Sequence, residues 1–166
     1  DTGARASVDL PESVNLSGYA DLDAAWSVMG DINWVRWSRF EELRVRRTNG
    51  AADIVTPEQW RDTWRVSVAA NYRYNNEWKL RGGLAYDQTP VKDEFRTARI
   101  PDNDRTWLAI GAQYKPTKQG MWDFGFAHLI VKDSTINKSE PPIGGTLAGK
   151  YSNDVNIFSV QYSHAF

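Results

Sequence analysis

The chain has 166 residues, enough for one domain with a core of its own. Lys and Arg number 20 against 21 Asp and Glu, which excludes the basic excess of a nucleic-acid binder and any polybasic lipid-docking segment. There is no cysteine, so disulfide frameworks and thiolate metal sites are excluded. No apolar run approaches the ~20 residues of a transmembrane helix.

In chain order, Asp1-Thr2-Gly3-Ala4-Arg5 shows no basic-then-apolar signal segment, so the chain is expected to be mature or to start inside a longer one. Ala6, Val8, Leu10, Val14, Leu16, Gly18 and Ala20 then share one parity straight through Pro11. A hairpin at Pro11-Glu12 would make two strands of this segment. Unbroken parity favours one long strand with a proline near its outer end. Next, Trp26, Val28, Gly30, Ile32 and Trp34 alternate with Ser27, Met29, Asp31 and Asn33. From Thr63 to Tyr74, Trp64, Val66, Val68, Ala70 and Tyr72 alternate with Arg65, Ser67, Ala69, Asn71 and Arg73. Trp78, Leu80, Gly82, Leu84 and Tyr86 then alternate with Lys79, Arg81, Gly83, Ala85 and Asp87. The pattern returns at Leu108–Tyr114, at Trp122–Ile130 and at Phe158–Phe166. Period two places successive side chains on opposite faces of a strand, so the spacing predicts seven strands, each with one apolar and one polar face.

Connections alternate in length. Short ones rich in Asn, Asp, Gly and Pro lie near Asp21–Ala24, Asn75–Glu77 and Pro116–Gly120, and long ones near Ser38–Gln59, Lys92–Arg105 and Asp133–Asn153. Transmembrane barrels alternate tight periplasmic turns with longer extracellular loops in this way. A soluble lipid-carrying barrel would turn its apolar face inward instead. Three features favour lipid outside. Trp26, Trp78 and Trp122 start strands just after short turns, and Tyr74, Tyr114 and Tyr162 end their neighbours, which predicts an aromatic girdle. The polar parity carries Arg5, Asp9, Asp31, Arg65, Arg73, Lys79, Arg81 and Asp123, residues suited to a wet lumen. The terminal Phe166, with apolar residues at alternate positions back to Phe158, resembles the signal read by the barrel-assembly machinery. An odd strand count puts the two ends on opposite sides of the membrane, whereas complete single-chain bacterial barrels have even counts. The outer strands therefore need partner strands, because lipid satisfies no free backbone group.

Ser7-Val8-Asp9-Leu10-Pro11-Glu12, Ser17-Gly18-Tyr19, Asn33-Trp34, Trp37-Ser38-Arg39-Phe40 and Trp60-Arg61-Asp62-Thr63-Trp64-Arg65 resemble the C-terminal half of the FadL/TodX family of hydrophobic-compound channels. Ala85-Tyr86-Asp87-Gln88-Thr89-Pro90-Val91 and Arg99-Ile100-Pro101-Asp102-Asn103-Asp104-Arg105-Thr106-Trp107-Leu108 extend the likeness nearly end to end. The resemblance implies that residues 1–166 are the C-terminal part of an all-β, antiparallel, up-and-down transmembrane barrel. They would supply seven strands of a 14-stranded wall, an even count as single-chain outer-membrane barrels have. It also implies an N-terminal hatch and barrel half outside this sequence, an outer-membrane location, and passive passage of long-chain fatty acids. In some branches the cargo is a monoaromatic hydrocarbon. A non-transporting barrel segment is the structural alternative.

A fatty-acid carboxylate in a lumen calls for a cation, and inward Arg65, Arg73, Lys79 and Arg81 are the candidates. The plainer account pairs them with Asp31, Asp87 or Asp123. Met29, Val35, Leu129 and Val131 share the inward parity and suit an acyl tail or a plug. Arg99, Asp102, Asp104 and Arg105 are expected near the extracellular entrance, where aspartates also cap turns. Two of these carboxylates fall short of the six to eight oxygens of a calcium site, and no cofactor or metal is expected. His128 and His164 both fall on the lipid-facing parity, which leaves no base beside a lumen nucleophile. An enzyme is not expected.

Overall fold

The computed structural model describes residues 3–140 and 144–166. Its twelve strands are β1 (Ala4–Ala6), β2 (Ser13–Asp21), β3 (Trp26–Val35), β4 (Glu42–Arg47), β5 (Ile54–Pro57) and β6 (Thr63–Arg73). They continue with β7 (Trp78–Asp87), β8 (Arg105–Tyr114), β9 (Gly120–Val131), β10 (Ser134–Glu140), β11 (Gly145–Tyr151) and β12 (Asp154–His164). Seven of them form one antiparallel sheet in the order β12-β9-β8-β7-β6-β3-β2, the meander that period two and the turn spacing predict. β1-β4-β5 form a small sheet, and β10-β11 a hairpin.

Two expectations are corrected. The first segment is not one strand through Pro11. It breaks after Ala6, and β1 pairs with β4 while β2 begins at Ser13. Pro11 has no N–H to give a ladder, and at the break Glu12 instead accepts the Arg36 N–H through its carbonyl, at 2.9 Å. The strand count of the sheet still comes to seven, because β1 leaves it. The long connections, read as plain loops, carry β4, β5, β10 and β11, so the extracellular end is folded structure built on the sheet. The last strand runs Asp154–His164, starting where the long connection read from the sequence ends.

The three short turns each supply a side-chain acceptor for the residues that restart the strand. Asp23 Oδ1 accepts from the Ala25 and Trp26 N–H groups at 2.7 and 2.8 Å, and these bonds hold its carboxyl below the usual carboxylate range. Asn75 Oδ1 accepts from Glu77 and Trp78 at 2.9 and 2.8 Å, and Thr117 Oγ1 from Gly120 at 2.9 Å. Such side-chain turns fix where the next strand starts. They therefore fix the height of Trp26 and Trp78.

Register settles the faces. Directly opposed residues in an antiparallel pair point the same way. Trp34 pairs with Trp64, Val66 with Tyr86, Leu84 with Leu108, Ile110 with Phe126, and Phe126 with Phe158. All even-numbered residues of the seven strands share this apolar face, and all odd-numbered ones share the other. The apolar face stays open, with Val68 56%, Leu84 55%, Ile110 66% and Val160 65% exposed, whereas odd-numbered Ser27, Thr63 and Leu129 are buried. On a curved sheet the concave side crowds its side chains, so the charged face is the inner one. Hydrocarbon-facing residues are thus on the convex wall, as an outer-membrane barrel requires.

The girdle is formed by cross-strand aromatic pairs in ring contact, one stacked and two tilted. Trp26 meets Tyr72 at 4.6 Å between ring centroids, Trp78 meets Tyr114 at 4.5 Å, and Trp122 meets Tyr162 at 4.7 Å. Tyr72, rather than Tyr74, completes the first pair, because Tyr74 lies beyond the end of β6. Trp34 and Trp64 mark the opposite rim. Tyr72 to Trp64 is eight residues, roughly 26 Å along the strand. At the usual tilt that spans about 20 Å, close to the ~25 Å band of outer-membrane barrels.

Candidate functional site

The inner face is layered. Proceeding from the girdle end, the first level holds Arg73, Lys79, Gln113, Asp123 and Gln161. Above it lie Asn71, Arg81, Gly111, Gly125 and Ser159. The next level crosses all seven strands as Tyr19, Met29, Ala69, Gly83, Ala109, Ala127 and Ile157. Then come Asp31, Ser67, Ala85, Trp107, Leu129 and Val155, followed by Asn33, Arg65, Asp87, Arg105 and Val131.

Two consecutive levels on β7, β8, β9 and β12 are therefore apolar, with Gly or Ala at half of their positions. There is little room to enlarge them, since a Cβ built on Gly83 would stand 3.2 Å from the Ala69 Cβ. Polar levels bracket this band. Below it, Arg81 forms an ion pair with Asp123 at 3.0 Å, and Gln113 Nε2 donates to the same carboxylate at 2.9 Å. Above it, the Arg65 guanidinium sits 5.4 Å over the Trp107 ring, a contact worth about 0.5–2 kcal/mol. Arg105 pairs with Asp87 at 3.5 Å. Ser67 donates its hydroxyl to Asp31, and Asn71 donates to Ser27 at 3.1 Å.

The four inward cations do not converge. Arg65 and Arg73 are eight residues apart on β6, roughly 26 Å along the strand, so Arg65 belongs to the upper bracket and the other three to the lower. Arg73 and Lys79 face each other across β6 and β7 and have no ion-pair partner among the described residues. Like charges opposed in this way repel. Sequence reading missed Trp107. It sits among Leu108, Ile110 and other outward residues, yet its odd number puts it inside, and parity alone was enough to find it.

At the entrance, three of the four expected residues serve the scaffold. Asp102 accepts the Thr89 hydroxyl at 2.6 Å, and Asp104 accepts the Thr89 N–H and the Tyr86 hydroxyl, both at 2.9 Å. Arg105 reaches Asp102 at 3.7 Å as well as Asp87. Arg99 is exposed and borders a cleft between loops. Beside it, wholly buried Arg96 donates to the carbonyls of Asp102 at 3.3 and 3.1 Å and of Thr135 at 2.9 Å, and pairs with Asp93 at 2.7 Å. That single side chain ties the segment before β8 to β10.

His128 Nδ1 lies 2.9 Å from Asn156 Oδ1 and His164 Nδ1 lies 3.2 Å from the Tyr162 hydroxyl, both on the outer face. No cluster with metal-ligand composition occurs among the described residues.

The family model described as "Outer membrane protein transport protein (OMPP1/FadL/TodX)" matches residues 1–166. The chain belongs to this family. It is 30% identical over 159 residues to the long-chain fatty acid transport protein of Escherichia coli (strain K12), covering 96% of this chain and 34% of that protein. The crystal structure of a Pseudomonas aeruginosa FadL homologue superposes with a TM-score of 0.89 at 27% identity, over 97% of this chain and 37% of the other. The Pseudomonas putida toluene transporter TodX shares the fold, with a TM-score of 0.70 at 21% identity over 98% and 36% of the two chains. The chain spans about a third of the length of the curated relatives it matches. The membrane face assigned from register and the family agree: this is a segment of an outer-membrane barrel wall.

Proposed function

We propose that this chain forms part of the wall of a passive outer-membrane channel for hydrophobic molecules, with long-chain fatty acids as its principal cargo. The observation that carries this reading is the inner apolar band of Gly83, Ala85, Trp107, Ala109, Ala127, Leu129, Ile157 and Val155, bracketed above and below by cations. An acyl tail gains by leaving water against that band, while its carboxylate finds Arg65 at one end, or Lys79 and Arg73 at the other. Arg81 is already paired and contributes less. Arg99 and Arg105 bias the extracellular mouth toward anions, with Asp102 and Asp104 holding the loop that carries them. The free outer edges of β2 and β12 take partner strands from the rest of the barrel, since hydrocarbon offers their amides nothing. Biogenesis uses the barrel-assembly machinery, and outer-membrane lipid wets the even-numbered face.

The test is binding and liposome uptake by the intact barrel that contains this segment, with oleate and toluene compared. Saturable oleate binding that weakens about tenfold or more in Arg65→Ala, the size of one charge-assisted hydrogen bond, is the expected outcome. Uptake of toluene with no saturable oleate binding replaces fatty acids with aromatic hydrocarbons as the cargo. Uptake of neither ends the channel reading.

A further inference from the structure

One polar pair on the wall takes no part in the lumen. His128 on β9 and Asn156 on β12 are directly opposed, and both are even-numbered. They therefore stand on the hydrocarbon side, in the company of Leu108, Phe126 and Phe158. His128 is six residues from girdle Trp122, and Asn156 six from Tyr162. Six residues are roughly 20 Å of strand, or about 15 Å of height at the usual tilt, inside the ~25 Å apolar band. Ile130 and Asp154 form the next pair outward, and Lys132 follows. The pair thus lies just beneath the charged extracellular rim, at the depth where lipid tails join their headgroups.

Polar side chains that face hydrocarbon are costly and mark function. Asn156 Oδ1 accepts the His128 Nδ1–H at 2.9 Å, so in the neutral ring Nε2 presents a lone pair. No donor reaches that nitrogen among the described residues. Asn156 turns its Nδ2 toward Asp154, at 3.5 Å, which leaves Nε2 as the group open to a ligand. Directly below the pair, on the same strands, the outer face is hollowed. Ala112 is the floor of a furrow of about 590 Å³ walled by Leu80, Ile110, Phe124, Phe126 and Phe158, a volume within the range of ligand sites. Ala112 is short where both of its cross-strand neighbours, Leu80 and Phe124, are long. The Phe126 and Phe158 rings brace one side, 4.8 Å apart.

We propose that this outer face binds a membrane lipid with a hydroxylated acyl chain, the hydroxyl donating to His128 Nε2 and the chain lying in the furrow. Plain ester-linked diacyl lipids present only acceptors at that depth and leave the nitrogen unpaired. The bilayer delivers such a lipid already oriented, head toward the charged rim and tail toward the girdle. A protein partner would have to bring a donor and an apolar ridge to the same two depths. Lys132 and Asp154 cancel in charge at the rim, so the site reads the hydroxyl rather than the sign of the headgroup. It follows from the assignment of faces alone and is independent of which cargo passes the lumen.

The probe is a pair of glucosamine phosphate lipids, one with hydroxymyristoyl and one with plain myristoyl chains. Each is added to the intact barrel that contains this segment, and lipid retention is counted by native mass spectrometry. The hydroxylated lipid should be retained about two- to tenfold better, the weight of one hydrogen bond. His128→Phe keeps an aromatic ring on the lipid face, so the barrel should fold as before while the preference disappears and retention of the plain lipid stays the same. Ala112→Trp fills the furrow and should lower retention of both lipids. Equal retention of the two by the unaltered barrel overturns the proposal, as does a preference that survives in His128→Phe. A barrel that runs as a dimer, and as a monomer in His128→Phe, gives this face to a second copy and overturns the lipid assignment. Oleate uptake moves with none of these outcomes, so the channel reading stands or falls separately.

Discussion

Replacing Val68 with arginine tests which side of the wall meets hydrocarbon. Val68 is 56% exposed and stands between Gly30 and Leu84 on the even-numbered face. Four residues separate it from Trp64 and four from Tyr72, roughly 13 Å of strand each way, so it lies at the middle of the apolar band. Arginine at the midplane of a barrel's lipid face costs about 2–4 kcal/mol, equivalent to about a 30- to 800-fold fall in the folding equilibrium. Ala69→Arg, one residue along, points into the wet lumen and should cost less than about 1 kcal/mol, although it crowds Gly83 and narrows the bore. Equilibrium unfolding of the intact barrel in lipid vesicles, titrated with urea, measures both. Equal costs for the two variants, or a larger cost at Ala69, would refute the assignment of faces and everything built on it.

Arg96→Ala should remove three hydrogen bonds to the carbonyls of Asp102 and Thr135 and the ion pair with exposed Asp93, a loss of about 2–4 kcal/mol confined to the extracellular segments. Limited proteolysis should then cut between residues 92 and 104 while the strands stay protected, and an unchanged digest would show that the clamp is dispensable. Glu58 has a raised pKa, first through burial and against the opposing pull of Lys138. The folded state therefore holds its proton more tightly than the unfolded chain does, and its contribution to stability falls as pH rises through the carboxylate range. Glu58→Gln should abolish that slope, measured as protease sensitivity of β4 and β5 between about pH 4 and 8; a slope that persists assigns it elsewhere. A Cβ on Gly125 would stand 2.5 Å from Ser159 Oγ, so Gly125→Ala should destabilise by about 1–2 kcal/mol. Adding Ser159→Ala should restore most of the loss, and a double variant no better than the single would show that the clash lies with the backbone.

The strands were legible because one rule governs all of them. Each of the seven has to show one face to hydrocarbon and one to water, and a single-residue slip would invert both. That is why alternation from Trp26 to Trp34 and from Trp64 to Tyr74 predicts both element and orientation. The extracellular end obeys no such rule. β4 reads Glu-Leu-Arg-Val-Arg-Arg, with both faces near water, and its pairing with β1 and β5 depends on contacts far along the chain. The break at residues 7–12 was hidden by parity that happens to continue across it. Inner cations were legible as residues, and their spacing already puts Arg65 and Arg73 roughly 26 Å apart on one inner face; period two leaves out which residues of other strands each one meets, such as Trp107 beside Arg65 and Asp123 beside Arg81. The Arg96 clamp and the cleft beside it arise from three distant segments and carry no local pattern.

The level of Ala69, Gly83, Ala109 and Ala127 has one more implication. Side chains there are so short that main chain forms the inner surface of this stretch of wall, between the longer Met29 on one side and Ile157 on the other, and a larger side chain at any of the four would project into the interior. A lineage could therefore retune the girth of what fits with a single codon change at Ala109 or Ala127, whereas Gly83, hemmed in by Ala69, would have to shift its neighbour first.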